Sequence, residues 1–244
     1  MRVLITRSEI DAQETASELC ARGHIQVSVP LLTIQHDAQA AETLEQALKG
    51  AQGIVFTSAN GVRAFAALNG RRDMPAYAVG SASASCARDA GLKAVFSGEG
   101  DATSLQALVA RACESAAGPL VHVAGTHLAS QGGESLKSGL ESLGFNVRRV
   151  VIYEAEAAKS LPAALRKSLL DQSSLKLDAA LFYSPRSAAL FRDLVIQADL
   201  AEQCEGLRAF CLSTAVARAL TPLVFRSVDV APMPNGQALL DLLD

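Results

Sequence analysis

A chain of 244 residues that is half hydrophobic, with a formal charge of −3 and a pI near 5.8, is long enough to bury one large α/β core or two small ones. Its apolar runs are short and broken by Gly, Ser, Arg and Asp, well below the roughly 20 residues of a membrane span, and the start "MRVLITRSE" has too few apolar residues for a signal peptide. Lys and Arg occur singly, so there is no basic field for nucleic acid. The five cysteines form no C-x-x-C pair, which argues against a disulfide framework. These features lead to the expectation of a cytoplasmic protein without membrane or nucleic-acid partners.

The first apolar run, "RVLIT", reads as a strand and is followed by "SEIDAQETASELCARGH", where Ala12, Ala16, Leu19 and Cys20 recur at helical spacing and Gly23 stands where a C-cap belongs. "IQVSVPLLTIQ" reads as one further strand, with Pro30 marking an edge or an end. "TIQHDAQAAETLEQALKG" is a polar, Ala-rich stretch suited to a crossing between structural units. "GIVFTSANGVRAFAAL" reads as strand, polar turn and helix. "AYAVGSASASCARDAGLKAVF" continues as strand, Gly-Ser turn, helix and strand, and "GDATSLQALVARAC" as a capped helix. "PLVHVAGTH" and "LASQGGESLKSGLESLG" read as strand, turn and helix up to Gly144, and "FNVRRVVIYEAE" as the next strand. "YEAEAAKSLPAALRKSLLDQSSLKLD" is the second polar stretch. "DAALFYSPRSAALFRDLV", "RAFCLSTAVARALTPL" and "PNGQALLDLL" then repeat the earlier strand, turn and helix pieces.

Ser58 of "IVFTSANGVRAF" and Ser184 of "ALFYSPRSAALF" lie 126 residues apart, and self-similarity over this much of the chain indicates duplication. The order is A, B, A′, B′, in which neither kind of segment completes a sheet. Alternating βαβ pieces form parallel sheets covered by helices on both faces, so an α/β protein with two similar lobes is expected. The lobes can be built as A with B and A′ with B′, or as A with B′ and B with A′; periodicity leaves both open.

In open parallel sheets ligands bind at the carboxyl ends of the strands, which directs attention to the turns. These carry Thr6 and Arg7; Thr57, Ser58 and Asn60; Ser81 and Ser83; Gly125, Thr126 and His127; Ser184, Arg186 and Ser187; and Thr214. Helix capping accounts for Ser, Thr and Asn at any one turn. Several helix N-termini together, with their free N–H groups, suit a multiply anionic ligand. The chain contains neither G-x-G-x-x-G nor G-x-x-x-x-G-K-[ST], and no G-x-S-x-G elbow. His24, His36, His122 and His127 have no metal-ligand spacing. No metal or cofactor is expected. Tyr153, in "VVIYEAE", interrupts an apolar strand where the chain turns polar, and its phenol is the best single candidate to donate a proton or a hydrogen bond.

The ordered set "VLITR", "IVFTSANGV", "YAVGSASASCARDAG", "VIYEAE", "LFYSPRSAALF" and "PNGQALLDLL" resembles the uroporphyrinogen-III synthase family over nearly the whole chain. The family commonly has Gly-Pro-x-Thr in two helix-start turns, where this chain has "GSAS" at 80–83 and "STAV" at 213–216. The resemblance implies two α/β lobes joined by a two-stranded connection, with lobe 1 made of 1–35 and 160–244, lobe 2 of 40–155, and linkers near 34–42 and 152–162. It implies a cofactor-independent lyase of heme biosynthesis: hydroxymethylbilane, a linear tetrapyrrole with eight carboxylates, loses its terminal hydroxyl as water and closes to uroporphyrinogen III, the last pyrrole ring being inverted. The implied roles are Tyr153 in catalysis and Thr6, Arg7, Thr57, Ser58, Asn60, Ser81, Ser83, Gly125, Thr126, Ser184, Arg186, Ser187 and Thr214 in substrate binding, in a monomer. Arg63 is a further candidate for the carboxylates. The alternative is a two-lobed cytosolic protein that binds a small anion without turning it over.

Overall fold

The computed structural model describes residues 1–98, 101–126, 132–171, 173 and 175–244. Its contacts divide the chain into two units, one made of Met1–Thr33 with Glu156–Asp244 and the other of Ile34–Ala155.

In the first unit β1 (Arg2–Ile5), β2 (Ile25–Ser28), β9 (Ala179–Phe182), β10 (Arg208–Cys211) and β11 (Ser227–Val230) form a parallel sheet in the order β11-β10-β9-β1-β2. Helices α1 (Glu9–Ala21) and α10 (Gly236–Leu240) cover one face, packing Ala12, Leu19 and Leu239 on Val3, Ile5 and Leu181. Helices α7 (Ala163–Leu170), α8 (Pro185–Gln197) and α9 (Thr214–Ala219) cover the other, around Leu4, Phe182 and Phe191. Residues of β1 and β9 are buried on both faces, which is why these strands read as unbroken apolar runs.

The second unit has the sheet order β3-β8-β7-β4-β5-β6. Its strands are β3 (Leu32–His36), β4 (Gly53–Phe56), β5 (Ala76–Ala78), β6 (Val95–Ser97), β7 (Leu120–Gly125) and β8 (Val147–Ala157). Helices α2 (Ala40–Leu48), α3 (Ala59–Leu68) and α4 (Ser81–Asp89) bury Leu44, Val62, Phe65 and Ala87 on one face. Helices α5 (Ala102–Ala112) and α6 (Gly132–Ser142) bury Leu105, Val109, Leu136 and Leu140 on the other. Among the described residues no helix is long and apolar enough to cross a membrane.

The sheets therefore combine A with B′ and B with A′. The duplication reaches the packing: Phe56 meets Phe65 edge to face at 5.7 Å in the second unit, and Phe182 meets Phe191 at 5.1 Å in the first, at positions equivalent by the same 126-residue offset.

Two sequence expectations are corrected. "IQVSVPLLTIQ" is two strands, β2 and β3, in different sheets. Pro30 has no N–H to donate, and the chain leaves the first sheet there. The polar stretches are also more regular than simple crossings. The first contains α2, and the second begins inside β8, which runs on to Ala157. The chain passes between units within β3 and β8. Asp37 N–H donates to Ile152 O at 2.9 Å and Ala158 N–H to Leu31 O at 2.9 Å, so β3 and β8 run antiparallel.

Candidate functional site

Near the middle of each sheet two neighbouring strands send their following helices to opposite faces, as the edge pairs β10–β11 and β5–β6 also do. In the first unit the central pair is β1, followed by α1, and β9, followed by α8; in the second it is β7, followed by α6, and β4, followed by α3. Such a reversal opens a crevice at the carboxyl ends of the strands. Most of the residues singled out in the sequence stand at these two places.

In the second unit, β4 ends at Phe56 and Ser58 caps α3 in extended conformation, its Oγ accepting from Gly61 N–H at 3.2 Å. The same Oγ lies 2.9 Å from the phenol oxygen of Tyr153. Tyr153 is inside β8 rather than at its end, which corrects the sequence reading. The strand continues because β3 pairs with it beyond the point where β7 stops. The β7–β8 register shifts there: Ala124 pairs with Val151, but Gly125 pairs with Tyr153. This bulge leaves Ile152 without a β7 partner and turns both Ile152 and Tyr153 toward the face covered by α3. Gly125 lies under the phenol ring, and Thr126 N–H donates to Tyr153 O at 2.9 Å. Asn60 Oδ1 accepts from Arg63 Nη1 at 2.8 Å, and Arg63 is half-buried on the helix. Thr57 is half-buried and Thr126 exposed. Ser81 and Ser83 belong to the neighbouring turn after β5, where Ser81 is exposed and Ser83 buried. His127 lies outside the described residues.

In the first unit, Ser184 caps α8, accepting from Ser187 N–H at 3.1 Å, and the two hydroxyls are 2.9 Å apart. Ser187 is 6 % exposed, so its hydroxyl serves this capping turn first. Arg186 is half-buried beside it. Arg7 stacks its guanidinium 4.1 Å from the centroid of the Tyr183 ring and donates to Thr15 Oγ1 at 3.2 Å. Thr6 is 1 % exposed, and its hydroxyl has no partner among the described residues. Thr214 is exposed at the first position of α9, after the cap Ser213. Tyr183 and Arg149 were not singled out in the sequence. Tyr183 occupies the repeat position of Thr57, and burial raises its phenol above the ordinary range, an effect opposed by Thr15 and Arg7. Arg149 Nη2 donates to Gly125 O at 2.9 Å; only the strand register brings them together. Among the described residues no three His, Cys, Asp or Glu side chains are grouped to hold a metal ion.

The family model of uroporphyrinogen-III synthase HemD matches residues 13–241. The chain belongs to the uroporphyrinogen-III synthase family. That family is one of lyases of tetrapyrrole biosynthesis, acting on a small-molecule substrate. Among solved structures, a uroporphyrinogen-III synthetase from Helicobacter pylori is 18 % identical with a TM-score of 0.66, over 100 % of this chain and 98 % of that one. A mutant uroporphyrinogen III synthase from Thermus thermophilus is 20 % identical with a TM-score of 0.56, over 100 % and 97 %. At such identities the likeness is one of fold: two mostly parallel sheets flanked by helices. No curated protein matches the chain by sequence.

One buried residue of β7 sets a pH limit. His122 is 1 % exposed on β7, opposite Arg149 in the register, and neither ring nitrogen has a partner among the described residues. Burial, and secondarily Arg149, push its pKa down from 6.5 to about 4. As pH falls below 6.5 the unfolded chain binds a proton that the folded protein refuses, so stability is lost down to pH 4, about 3 kcal/mol in all. Urea midpoints measured between pH 7.5 and 4 are expected to show this loss in the parent and to lack most of it in His122→Leu. Equal acid sensitivity in the two would contradict it.

Proposed function

We propose that this chain is the synthase that cyclises and dehydrates hydroxymethylbilane to uroporphyrinogen III, and that Tyr153 is its proton donor. The observation that carries the second part is the contact chain Gly61 N–H, Ser58 Oγ, Tyr153 OH. Ser58 Oγ accepts from the backbone, so its own proton is free to be donated to the phenol oxygen. The phenol proton is then directed outward, to the terminal hydroxyl of the substrate. As that proton leaves, Ser58 supports the charge developing on the phenol oxygen, and the helix-terminal N–H behind it strengthens the support.

The chemistry needs little more. The electron-rich terminal pyrrole expels the hydroxyl when its oxygen is protonated, and the leaving group departs as water. The carbon left behind bonds to the already substituted α-carbon of the last pyrrole ring, giving a spiro intermediate. The bond from that α-carbon to the neighbouring bridge carbon breaks, and the freed bridge carbon bonds to the same ring's unsubstituted α-carbon. Loss of the proton there closes the inverted macrocycle and restores the phenol. Holding the reacting ends together supplies much of the acceleration, since orientation contributes several kcal/mol. In this reading Thr57, Ser58, Asn60, Ser81, Ser83, Gly125 and Thr126 of the second unit hold acetate and propionate groups through hydroxyls and backbone N–H groups. Thr6, Arg7, Ser184, Arg186, Ser187 and Thr214 do so in the first, and the half-buried Arg63 supplements Asn60. The protein is proposed to act as a cytoplasmic monomer, with no nucleic-acid or membrane partner, in keeping with its net charge of −3 and lack of basic clusters.

The test is to generate hydroxymethylbilane in situ and determine the isomers of the resulting uroporphyrins. An excess of isomer III over the enzyme-free control is expected; isomer I alone would refute the assignment.

A further inference from the structure

We infer that Gly125 is a positioning residue for Tyr153: its missing side chain is the space that lets the phenol ring reach Ser58. This rests on the reading of Tyr153 as the proton donor.

The φ angle of Gly125 lies outside the left-handed region, so the backbone conformation does not call for glycine. The space does. A Cβ built on Gly125 would stand 2.8 Å from Tyr153 Cε2, 2.9 Å from Cζ and 3.3 Å from Cδ2. Carbon atoms in ordinary contact keep about 3.5 Å or more, so either the strand or the ring would have to retreat. The strand is held on both sides. Arg149 Nη2 donates to Gly125 O at 2.9 Å, and the following N–H, of Thr126, donates to Tyr153 O at 2.9 Å. The bulge further fixes where the ring starts, because Ile152 spends its carbonyl on Asp37 N–H while its side chain is buried in the core. The ring is the part free to tilt. A tilt that clears a methyl group swings the phenol oxygen, at the end of a rigid lever, off the 2.9 Å contact with Ser58. Gly125 and the bulge thus act together: the bulge turns Tyr153 to the α3 face, and the bare Cα lets it lie flat there.

The contrasting case is Gly53, where a Cβ would stand 2.8 Å from Cε2 of Tyr77. Tyr77 is 3 % exposed and stacks on Phe96 at 5.3 Å, so that glycine serves packing and provides a control.

The experiment compares Gly125→Ala, Tyr153→Phe and the double variant in isomer III formation, together with fluorine NMR of protein carrying 3-fluorotyrosine. The chain has three tyrosines, and the Tyr153 signal is the one missing from Tyr153→Phe. Gly125→Ala is expected to lower kcat roughly 10-fold and to shift the Tyr153 resonance while those of Tyr77 and Tyr183 stay. In the Tyr153→Phe background the same substitution is expected to cause no further fall in kcat, because the phenol it misplaces is absent, while any lost carboxylate contact at Gly125 appears in KM. Gly53→Ala should shift the Tyr77 signal and leave that of Tyr153. An equal fold-loss of kcat in both backgrounds, or an unmoved Tyr153 resonance, would overturn the inference. If Gly125→Ala alone does not fold, adding Tyr153→Ala is expected to restore folding by vacating the contested space, and failure to do so also counts against it. Should the parent protein form no isomer III, the enzymatic reading fails while the fluorine spectrum still decides the positioning role.

Discussion

Replacing Tyr153 with phenylalanine is expected to lower kcat for isomer III formation about 100-fold, the lower range of what a positioned proton donor contributes, with KM nearly unchanged. The variant isolates one atom. Phenylalanine keeps the ring above Gly125 and its packing against the α3 face, and Ser58 still caps the helix through Gly61 N–H at 3.2 Å. Thermal stability should therefore move little, and a fall in kcat reports the lost hydroxyl rather than a disturbed fold. An effect confined to kcat is the signature of an interaction made in the transition state. Unchanged kcat would remove Tyr153 from the reaction and leave orientation alone to account for it.

The largest effect on stability is expected from Phe182→Ala, about 3–5 kcal/mol. Phe182 is fully buried on the central strand β9, with its ring edge to face against Phe191 at 5.1 Å and Phe225 at 6.3 Å. Truncation removes two aromatic contacts and leaves a cavity between a sheet and α8 that neither rigid element can close. Denaturant unfolding followed by circular dichroism measures it, and a loss below about 1 kcal/mol would show that the core collapses into the space. Phe182 leads directly into the turn of Tyr183 and Ser184, so the same change should also loosen that capping turn.

The architecture was legible where strand, cap and helix follow one another in a few residues. "IVFTSANGV" and "LFYSPRSAAL" announce their elements because Ser58 and Ser184 must satisfy the free N–H groups of α3 and α8. Pattern failed where one partner is enough to form a strand. "SVDV" became β11, an edge strand with half-buried and exposed residues alternating and no apolar run to mark it. It failed again at α2, whose apolar positions Ala40, Leu44 and Leu48 are diluted by polar neighbours. The site was legible by residue type rather than by arrangement. Tyr153 and Ser58 could each be chosen as polar residues at strand ends, but their 2.9 Å contact depends on a bulge, and a bulge leaves no mark in composition. For the same reason Arg149 and His122 read as ordinary strand residues: their proximity is a product of β7–β8 pairing. The burial of Thr6 was equally illegible, since it is a turn residue by pattern but 1 % exposed.

The interleaved strand order also dictates a timetable for synthesis. β1 leaves the ribosome first, yet its neighbour β9 starts at Ala179 and the sheet is completed only by β11, ending at Val230. Until then, β1 and β2 can form no more than a two-stranded ribbon, which is marginal in water. The second unit's residues, 34–155, are all made before β9 appears. It is thus the piece that can condense early, and its folding draws the two ends of a 122-residue insertion together. A long and costly loop closure in the first unit becomes the docking of strands already delivered side by side.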